Sequence, residues 1–237
     1  MSARTFLVTG ATKGIGLAIT GHLHDRGDRV VGIARHAPDS SFPGTFVAAD
    51  LRDAGETERI FRRLLETEVI DGIVNNVGCA RPQAIPDLTL AAFWDVMNIN
   101  LQPALLAAKI FSPGMIERGF GRIVNIASTV VLGSSGRSTY AAAKAALVSF
   151  TQSWALELAK ARITVNAVAP GNTTTEGFRL NCPPGSDAEK RLMVRVPMGR
   201  LAEPTEVAAA VGFFLSAEAG YITGQTLFID GGLGLRR

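Results

Sequence analysis

Tyr140 and Lys144 are the side chains in this sequence whose types and spacing best suit chemistry. They stand four residues apart in Tyr140-Ala141-Ala142-Ala143-Lys144, and residues at this spacing on a helix share one face, with about 5–6 Å between their Cβ atoms. A cation about 4 Å away at an effective dielectric near 20 is worth about 4 kcal/mol, or at most about three units on an ordinary tyrosine pKa. The pair therefore predicts a tyrosine of lowered pKa that donates and accepts a proton.

A glycine-rich turn near the N-terminus predicts a phosphate-binding site. Residues 9–16 follow an apolar strand pattern and open a helix pattern. Gly10, Gly14 and Gly16 would let the backbone approach a pyrophosphate, whose charge would sit at the positive end of the helix. The order of strand, turn and helix favours a dinucleotide site over a glycine turn that binds no ligand.

The residues after the second predicted strand favour NADP(H) over NAD(H). An NAD site has an acidic residue there for the ribose hydroxyls, but in this chain residues 30–34 lead to Arg35. Arg35 and Lys13, which lies inside the glycine turn, could together hold a 2′-phosphate. The alternative for Arg35 is a solvated loop arginine. Asp50, after the third predicted strand, could bind the adenine amino group.

Short apolar runs alternate with longer amphipathic segments, which is typical of a parallel sheet covered by helices. The predicted strands span 5–8, 29–33, 45–48, 72–75, 122–127, 164–169 and 226–229, and the predicted helices span 15–26, 56–66, 90–98, 103–117, 139–159 and 204–216. Pro103 fits best in a first helical turn, so it is expected to begin a new helix. Residues 171–200 are expected to be irregular and to form a substrate loop or lid.

Composition indicates one globular domain and excludes several classes of function. A chain of 237 residues with 47% hydrophobic content can bury one large core, removing about 70–75% of its unfolded surface. The formal charge is +3 and the pI near 9.1, but the basic residues are scattered rather than gathered into a stripe. We therefore expect no nucleic-acid partner.

The cysteines and histidines give no sign of a metal site or a disulfide framework. Cys79 and Cys182 form no CxxC pair, and His22, His24 and His36 have no partner at a metal-binding spacing. No apolar run suits a signal peptide or a membrane span. The sequence predicts a soluble cytoplasmic protein without a metal and without membrane attachment.

In order and spacing, these motifs resemble those of the short-chain dehydrogenase/reductase family. The matching residues are 9–16, Asn75-Asn76-Val77-Gly78, Asn100, Ser128, Tyr140 with Lys144, Pro170-Gly171 and Thr175. Val77 stands where the family usually has alanine, and Asn172-Thr173-Thr174 where an aliphatic residue is more usual. The resemblance covers essentially the whole chain. It implies an α/β fold in which residues 1–237 form a single Rossmann domain, with a doubly wound, seven-stranded parallel sheet and helices on both faces.

The resemblance also implies roles for particular residues. Lys144 would hold the nicotinamide ribose hydroxyls, Ser128 the substrate oxygen, and Asn100 a water in a proton relay. Together with Tyr140 these residues form the expected catalytic set. The expected cofactor-binding residues are Gly10, Thr12, Lys13, Gly14, Ile15, Gly16, Arg35, Asp50, Leu51, Asn76, Val77, Gly78, Tyr140, Lys144, Pro170, Gly171, Thr173 and Thr175.

The expected reaction passes hydride from the nicotinamide to a ketone or aldehyde while Tyr140 protonates the oxygen, giving an alcohol. The expected substrate pocket has an apolar wall without a charge anchor, which suits a neutral carbonyl compound; its residues are Cys79, Val130, Leu132, Asn172 and Phe178. A 3-oxoacyl-carrier-protein or CoA reductase and an NAD-dependent alcohol or polyol dehydrogenase remain alternatives. The intact catalytic set argues against a further alternative, a cofactor-sensing protein without catalytic activity.

Two interaction surfaces follow from the resemblance. Carrier-protein reductases have basic residues before the fifth and sixth strands, but here Gly119 and Ala161 occupy those positions. Carrier docking stays open, because Arg118, Arg122, Lys160 and Arg162 lie nearby. The family also implies a homotetramer built through the helices after Pro103 and Thr139 and through the last strand; Leu147, Phe150 and Trp154 would suit such a helix face.

Overall fold

A parallel sheet of seven strands forms the centre of the protein. The computed structural model describes residues 3–38 and 41–235. The strands are β1 (Thr5–Thr9), β2 (Arg29–Ala34), β3 (Thr45–Ala48), β4 (Gly72–Asn75), β5 (Gly121–Ile126), β6 (Ile163–Pro170) and β7 (Thr226–Ile229). The α-helices are α1 (Gly14–Asp25), α2 (Ala54–Thr67), α3 (Leu90–Arg118), α4 (Ser138–Leu158), α5 (Glu176–Arg179), α6 (Asp187–Arg195) and α7 (Pro204–Leu215).

The strand order is β3-β2-β1-β4-β5-β6-β7, and every neighbouring pair is parallel. The chain builds outward from β1 to β3, then returns to place β4 on the other side of β1. This doubly wound order confirms the predicted α/β fold class. The carboxyl ends of the strands, where ligands of such sheets bind, all lie along one edge.

Helices cover both faces of the sheet because successive strand residues point to opposite sides. Phe6 and Val8 of β1 belong to a core with α1 and α7. Leu7, between them, belongs to a second core with α2, α3 and α4, where Phe61 and Phe111 pack with ring centroids 5.6 Å apart.

Leu147 of α4 is also a core residue, with 1% exposure. It therefore cannot belong to an exposed contact face, and this part of the oligomer expectation is wrong. Phe150 and Trp154, stacked at 4.9 Å, are only half-buried.

Helix α3 runs through Pro103, so the predicted break between residues 98 and 103 is wrong. Proline removes one helical hydrogen bond and costs about 3 kcal/mol or more in a helix interior. The buried face of α3 is nevertheless continuous across it, with Val96 and Ile99 before the proline and Ala104 and Phe111 after it. Burial of this face along both halves offsets the lost bond.

The segment 171–200 is not irregular throughout, because it contains α5 and α6. Each of these helices begins at a side-chain cap: Thr175 Oγ1 accepts from the Phe178 N–H at 3.1 Å, and Ser186 Oγ accepts from the Glu189 N–H at 3.2 Å. Ser186 and Glu189 have the Ser-x-x-Glu spacing of a helix start, so the sequence contained this signal.

Candidate functional site

The loops after β1, β2, β3 and β4 enclose a cleft of about 360 Å³, called here the glycine-turn cleft. Nine of the predicted cofactor residues line it: Gly10, Thr12, Lys13, Arg35, Asp50, Leu51, Asn76, Val77 and Gly78. The sheet topology explains this grouping, because each of these loops leaves the carboxyl end of a strand beside the point where the strand order reverses.

The glycine turn is held in shape by Asn76. The Asn76 side-chain amide donates to the carbonyls of Thr9 at 2.9 Å and Gly10 at 3.1 Å. Gly10 has φ +65°, and a Cβ on Gly16 would lie 2.0 Å from the Gly10 carbonyl oxygen. Only glycine permits the close approach at position 16, so helix α1 begins directly against the turn.

The N-terminus of α1 fits an anionic group. Lys13 provides no side-chain cap, and no acidic residue lies in the first turn of α1, whereas α2, α3, α5 and α6 each have a side-chain acceptor at their cap. The free N–H groups and the helix dipole attract phosphate. This supports the interpretation of the glycine turn as a pyrophosphate site.

Four basic side chains line the glycine-turn cleft. Lys13 and Arg35 were predicted; His36 and Arg52 were not. Arg52 also contacts Cys79 Sγ at 3.8 Å and Asp95 at 3.6 Å. Arg52 could have been predicted as a cleft residue because it lies two residues after Asp50. The backbone N–H of Arg52 donates to Asp50 Oδ1 at 3.1 Å.

A second hollow, the Tyr140 pocket of about 260 Å³, lies at the carboxyl ends of β5 and β6. It contains Ser128, Tyr140 and Lys144 of the predicted catalytic set. It is also lined by the predicted cofactor residues Ile15, Asn76, Gly78, Pro170, Gly171, Thr173 and Thr175. Asn76 and Gly78 line both hollows, so one elongated molecule could reach from one to the other.

The predicted lowering of the Tyr140 pKa is wrong for this structure. Burial raises the pKa of Tyr140, and the nearby charge of Arg137 and a hydrogen bond with Ser128 offset only part of that rise. The ammonium group of Lys144 lies 5.6 Å from the centre of the Tyr140 ring and donates to the Ile126 carbonyl at 2.7 Å. Tertiary burial thus outweighs the helical spacing that suggested an acidified phenol.

Lys144 is itself 2% exposed. Burial lowers its pKa from 10.5 to about 8, because desolvation disfavours the charged form. One of its three donors is used by Ile126, which leaves others for a ligand.

Asn100 lies next to Gly78, which lines both hollows. Its Nδ2 donates to the carbonyls of Cys79 and Val96, each at 2.8 Å, while its buried Oδ1 has no partner among the described residues. The point that a Cβ of Gly78 would occupy is 2.5 Å from Asn100 Oδ1 and 3.2 Å from Lys144 Nζ. An unpaired buried acceptor beside a buried ammonium fits a site that takes another polar group.

Three predicted residues lie outside these linings. Gly16 and Asn100 support the walls, as described above. Gly14 has φ +54°, and its Cβ position would be 3.0 Å from Thr175, so it brings α1 against the start of the 171–200 segment.

A third hollow of about 710 Å³, the outer pocket, opens beside the Tyr140 pocket. Leu132 lines the outer pocket, Phe178 lines the Tyr140 pocket, and Val130 and Asn172 line both. Cys79 instead lines the glycine-turn cleft, which corrects its predicted place in the substrate wall.

The expectation of a substrate wall without a charge anchor is wrong. Arg137 lines both the Tyr140 pocket and the outer pocket, and Arg195 of α6 lines the outer pocket. Arg137 stands three residues before Tyr140, which was the one sequence signal for it; Arg195 is far away in sequence and gave none.

In the described part of the chain, no group of three or more His, Cys, Asp or Glu side chains could hold a metal ion. Among the same residues, no helix combines the length and apolarity needed to cross a bilayer.

Comparison with known proteins identifies the class of this protein. Residues 10–234 match the family model described as enoyl-(acyl carrier protein) reductase. The chain belongs to the short-chain dehydrogenase/reductase family. It is therefore an oxidoreductase that uses NAD(H) or NADP(H) and acts on a small molecule.

Individual relatives agree over nearly the whole chain. The 3-oxoacyl-(acyl-carrier-protein) reductase FabG of Vibrio harveyi is 37% identical over 243 residues, covering 98% of each chain. FabG of Escherichia coli K12 is 35% identical, covering 96% of each.

Solved structures agree in fold. A putative NAD(P)-dependent gluconate 5-dehydrogenase of Beutenbergia cavernae with bound NADP has a TM-score of 0.91 at 32% identity, covering 98% of this chain and 97% of that one. The aldohexose dehydrogenase of Thermoplasma acidophilum has a TM-score of 0.92 at 30% identity, covering 99% and 95%.

Proposed function

We propose that this protein is an NADP(H)-dependent carbonyl reductase that reversibly converts a ketone or aldehyde to an alcohol, with Tyr140 as the acid/base. The observation that carries this proposal is the meeting of Ser128, Tyr140 and Lys144 in one pocket. That pocket shares Asn76 and Gly78 with a cleft that bears Lys13 and Arg35. A dinucleotide across the two would bring its nicotinamide to the tyrosine.

The bound nicotinamide would supply hydride to the carbonyl carbon, or accept it in the reverse direction. Ser128 would bind the substrate oxygen and polarise it, and the Tyr140 hydroxyl would deliver the proton. The raised pKa of Tyr140 keeps the phenol protonated, which suits a proton donor in the reductive direction.

Lys144 and Asn100 would return a proton to Tyr140. A lysine with a pKa of about 8 releases and takes up protons near neutral pH at little cost. Its Nζ and the unpaired Asn100 Oδ1 both lie next to the point that a Cβ of Gly78 would occupy. We propose that these two atoms carry a relay between the tyrosine and solvent, in which Asn100 orients a water.

The preference for NADP(H) is part of the proposal. Lys13 and Arg35 have no carboxylate partner among the described residues, and both line the same cleft. Such a pair suits a 2′-phosphate. Replacing Arg35 by Ala should weaken NADPH binding roughly 10- to 100-fold and NADH binding by less than about twofold, measured by fluorescence titration. Equal losses for both cofactors would remove Arg35 from the phosphate site.

A 3-oxoacyl thioester is the second candidate substrate, and it is favoured by the FabG relatives. The outer pocket of about 710 Å³ could take an acyl chain. Two of the four nearby basic residues are engaged within the chain: Arg118 donates to the Ile70 carbonyl at 2.7 Å, and Arg122 is 5% exposed. Lys160 and Arg162 remain for a carrier protein.

A polyol or sugar-acid dehydrogenase is a third candidate, which the gluconate and aldohexose dehydrogenase neighbours favour. This candidate is defined by oxidation of an alcohol with NAD⁺, whereas the first two are tested as reductions with NADPH. Oxidation of a polyol with NAD⁺ that exceeds every reduction rate with NADPH would select it.

The decisive experiment measures initial rates of NADPH and NADH oxidation over ketones, aldehydes and acyl thioesters. The chain has 2 tyrosines, so Tyr221→Phe is a matched control: Tyr221 is fully exposed and lines none of the three hollows. Tyr140→Phe should lose at least about a thousandfold in kcat with its fold intact, since the proton donor is gone. Full activity in Tyr140→Phe would refute the mechanism.

We also propose that residues 1–237 act as one domain with 171–200 as the substrate segment; residues 1–2, 39–40 and 236–237 lie outside the described part.

We propose a cytoplasmic homotetramer on the family resemblance. Exposed apolar side chains on β7, Leu227 at 40% and Phe228 at 37%, support an interface through that strand. Sedimentation velocity that gives a monomer at micromolar concentration would contradict the assembly.

A further inference from the structure

The walls around Tyr140 carry positive charge and no negative charge. Arg137 and Lys144 line the Tyr140 pocket, and Arg137 and Arg195 line the outer pocket. Among the described residues, neither lining contains an aspartate or a glutamate. A hollow that is lined by positive side chains and by no negative ones raises the local concentration of anions.

Within the described residues, Arg137 and Arg195 have no carboxylate partner, unlike two other arginines of the segment 171–200. Arg179 pairs with Glu189 at 2.5 Å and Arg200 with Glu206 at 2.6 Å. No ion pair of the described chain involves Arg137 or Arg195. Their guanidinium groups are therefore available to a ligand.

The backbone of Arg137, three residues before Tyr140, is held by two hydrogen bonds. Its backbone N–H donates to the Ser134 carbonyl at 3.2 Å, and its carbonyl accepts from the Ala141 N–H at 2.8 Å. Its side chain makes no capping hydrogen bond at the start of α4, so it is not needed to cap that helix. Arg137 and Tyr140 line the same pocket, and the positive charge of Arg137 offsets part of the rise in the Tyr140 pKa.

Arg195 approaches from another part of the chain. It is the last residue of α6, in the segment 171–200, and it is exposed. The outer pocket is therefore lined by one arginine at the start of α4 and by one at the end of α6. Guanidinium groups bind carboxylates and phosphates through paired hydrogen bonds, which fix orientation as well as affinity.

We propose that the substrate carries an anionic group, a carboxylate or a phosphate, close to its carbonyl, and that Arg137 and Arg195 bind this group at the mouth of the Tyr140 pocket. This inference rests on the proposed carbonyl-reductase function and narrows its substrate to acidic carbonyl compounds. With the anion on the arginines, the carbonyl oxygen would be turned toward Ser128 and Tyr140.

Matched substrate pairs test the proposal. With saturating NADPH, kcat/KM is measured for 2-, 3- and 4-oxo acids against their methyl esters, and for hydroxyketones against their phosphate monoesters. At least one anion should exceed its neutral partner by roughly 10- to 100-fold. The class of pair that shows the preference tells a carboxylate ligand from a phosphate ligand. Neutral members that react as well as every anionic partner would overturn the proposal.

Three variants locate the effect. Arg137→Gln and Arg195→Gln should each reduce the anion-to-neutral ratio at least about tenfold, and Arg137→Lys should restore only part of it, because an ammonium lacks the planar fork. Arg191→Gln is the matched control: Arg191 is an exposed arginine one turn earlier on α6 and lines none of the three hollows. A ratio unchanged in both Arg137→Gln and Arg195→Gln would contradict the assignment.

A binding measurement separates this proposal from the proposed function. Tyr140→Phe loaded with NADPH is titrated with the same oxo acids, phosphate esters and neutral partners, and binding is followed by NADPH fluorescence. Anion-selective binding that Arg137→Gln removes would support the anion site even if the wild-type protein reduced none of them, and would place the failure in the proposed reaction. Absence of anion-selective binding in this complex would overturn the anion site, whatever the turnover of neutral ketones.

Discussion

Replacing Lys144 by Met should change how the stability of the protein depends on pH. Burial lowers the pKa of Lys144 from 10.5 to about 8. Since one pKa unit corresponds to about 1.4 kcal/mol, the full penalty for burying the charged form is about 3 kcal/mol. Between these two pKa values the unfolded chain binds more protons at this residue than the folded chain, so stability rises with pH.

The penalty is fully present below about pH 8 and is relieved as pH rises toward the unfolded pKa. Between about pH 7 and pH 9.5 the wild type should gain about 2 kcal/mol of unfolding free energy relative to Lys144→Met. Burial also raises the pKa of Tyr140, but that residue is present in both proteins, so its contribution largely cancels from the difference between them.

Urea unfolding followed by circular dichroism, at one protein concentration and several pH values, measures the difference. Lys160→Met is the matched control, because Lys160 is exposed; its difference from wild type should not vary with pH. A wild-type minus Lys144→Met difference constant to within about 0.5 kcal/mol would refute the inference that Lys144 is buried in its charged form.

Three further substitutions test the walls of the site and one helix end. Gly16→Ala would bring a Cβ within 2.0 Å of the Gly10 carbonyl oxygen. We expect the free energy of unfolding to fall by at least about 1–3 kcal/mol and the protein to lose NADPH binding. Wild-type NADPH binding in a calorimetric titration would contradict the close approach. Gly78→Ala would place a methyl group 2.5 Å from Asn100 Oδ1; kcat should fall at least about tenfold while the circular dichroism spectrum is unchanged, and wild-type kcat would show that the Asn100 geometry is not needed. Asp53→Ala removes the acceptor for the Glu56 N–H at 2.8 Å and should cost about 1 kcal/mol in urea unfolding without changing kcat, whereas an unchanged midpoint would show that this cap adds nothing.

The fold was predictable because its signals are local. Strand positions came within one or two residues of those observed, since the buried parallel strands are short apolar runs bounded by turns. The glycine turn was predictable for the same reason. By contrast, the continuity of α3 through Pro103 depends on a face buried by residues from other elements, and no local pattern reports that burial.

In the candidate site, too, some features could be predicted from the sequence and others could not. The types and spacing of Ser128, Tyr140 and Lys144 are written in the sequence, because two of them share a helix face and the third follows the end of the preceding strand by two residues. The direction of the Tyr140 pKa is not, because desolvation by surrounding elements outweighs the single helical neighbour.

The sequence by itself determined the family, the glycine turn and the residues able to transfer a proton, since these depend on neighbours along the chain. Only the tertiary structure decided which charges line the hollows beside Tyr140. Arg137 and Arg195 belong to elements far apart in sequence, and they line one hollow because the fold brings the end of α6 and the start of α4 to the same pocket. Electrostatic and packing effects depend on distance in space, so the chain order alone could not reveal that pair.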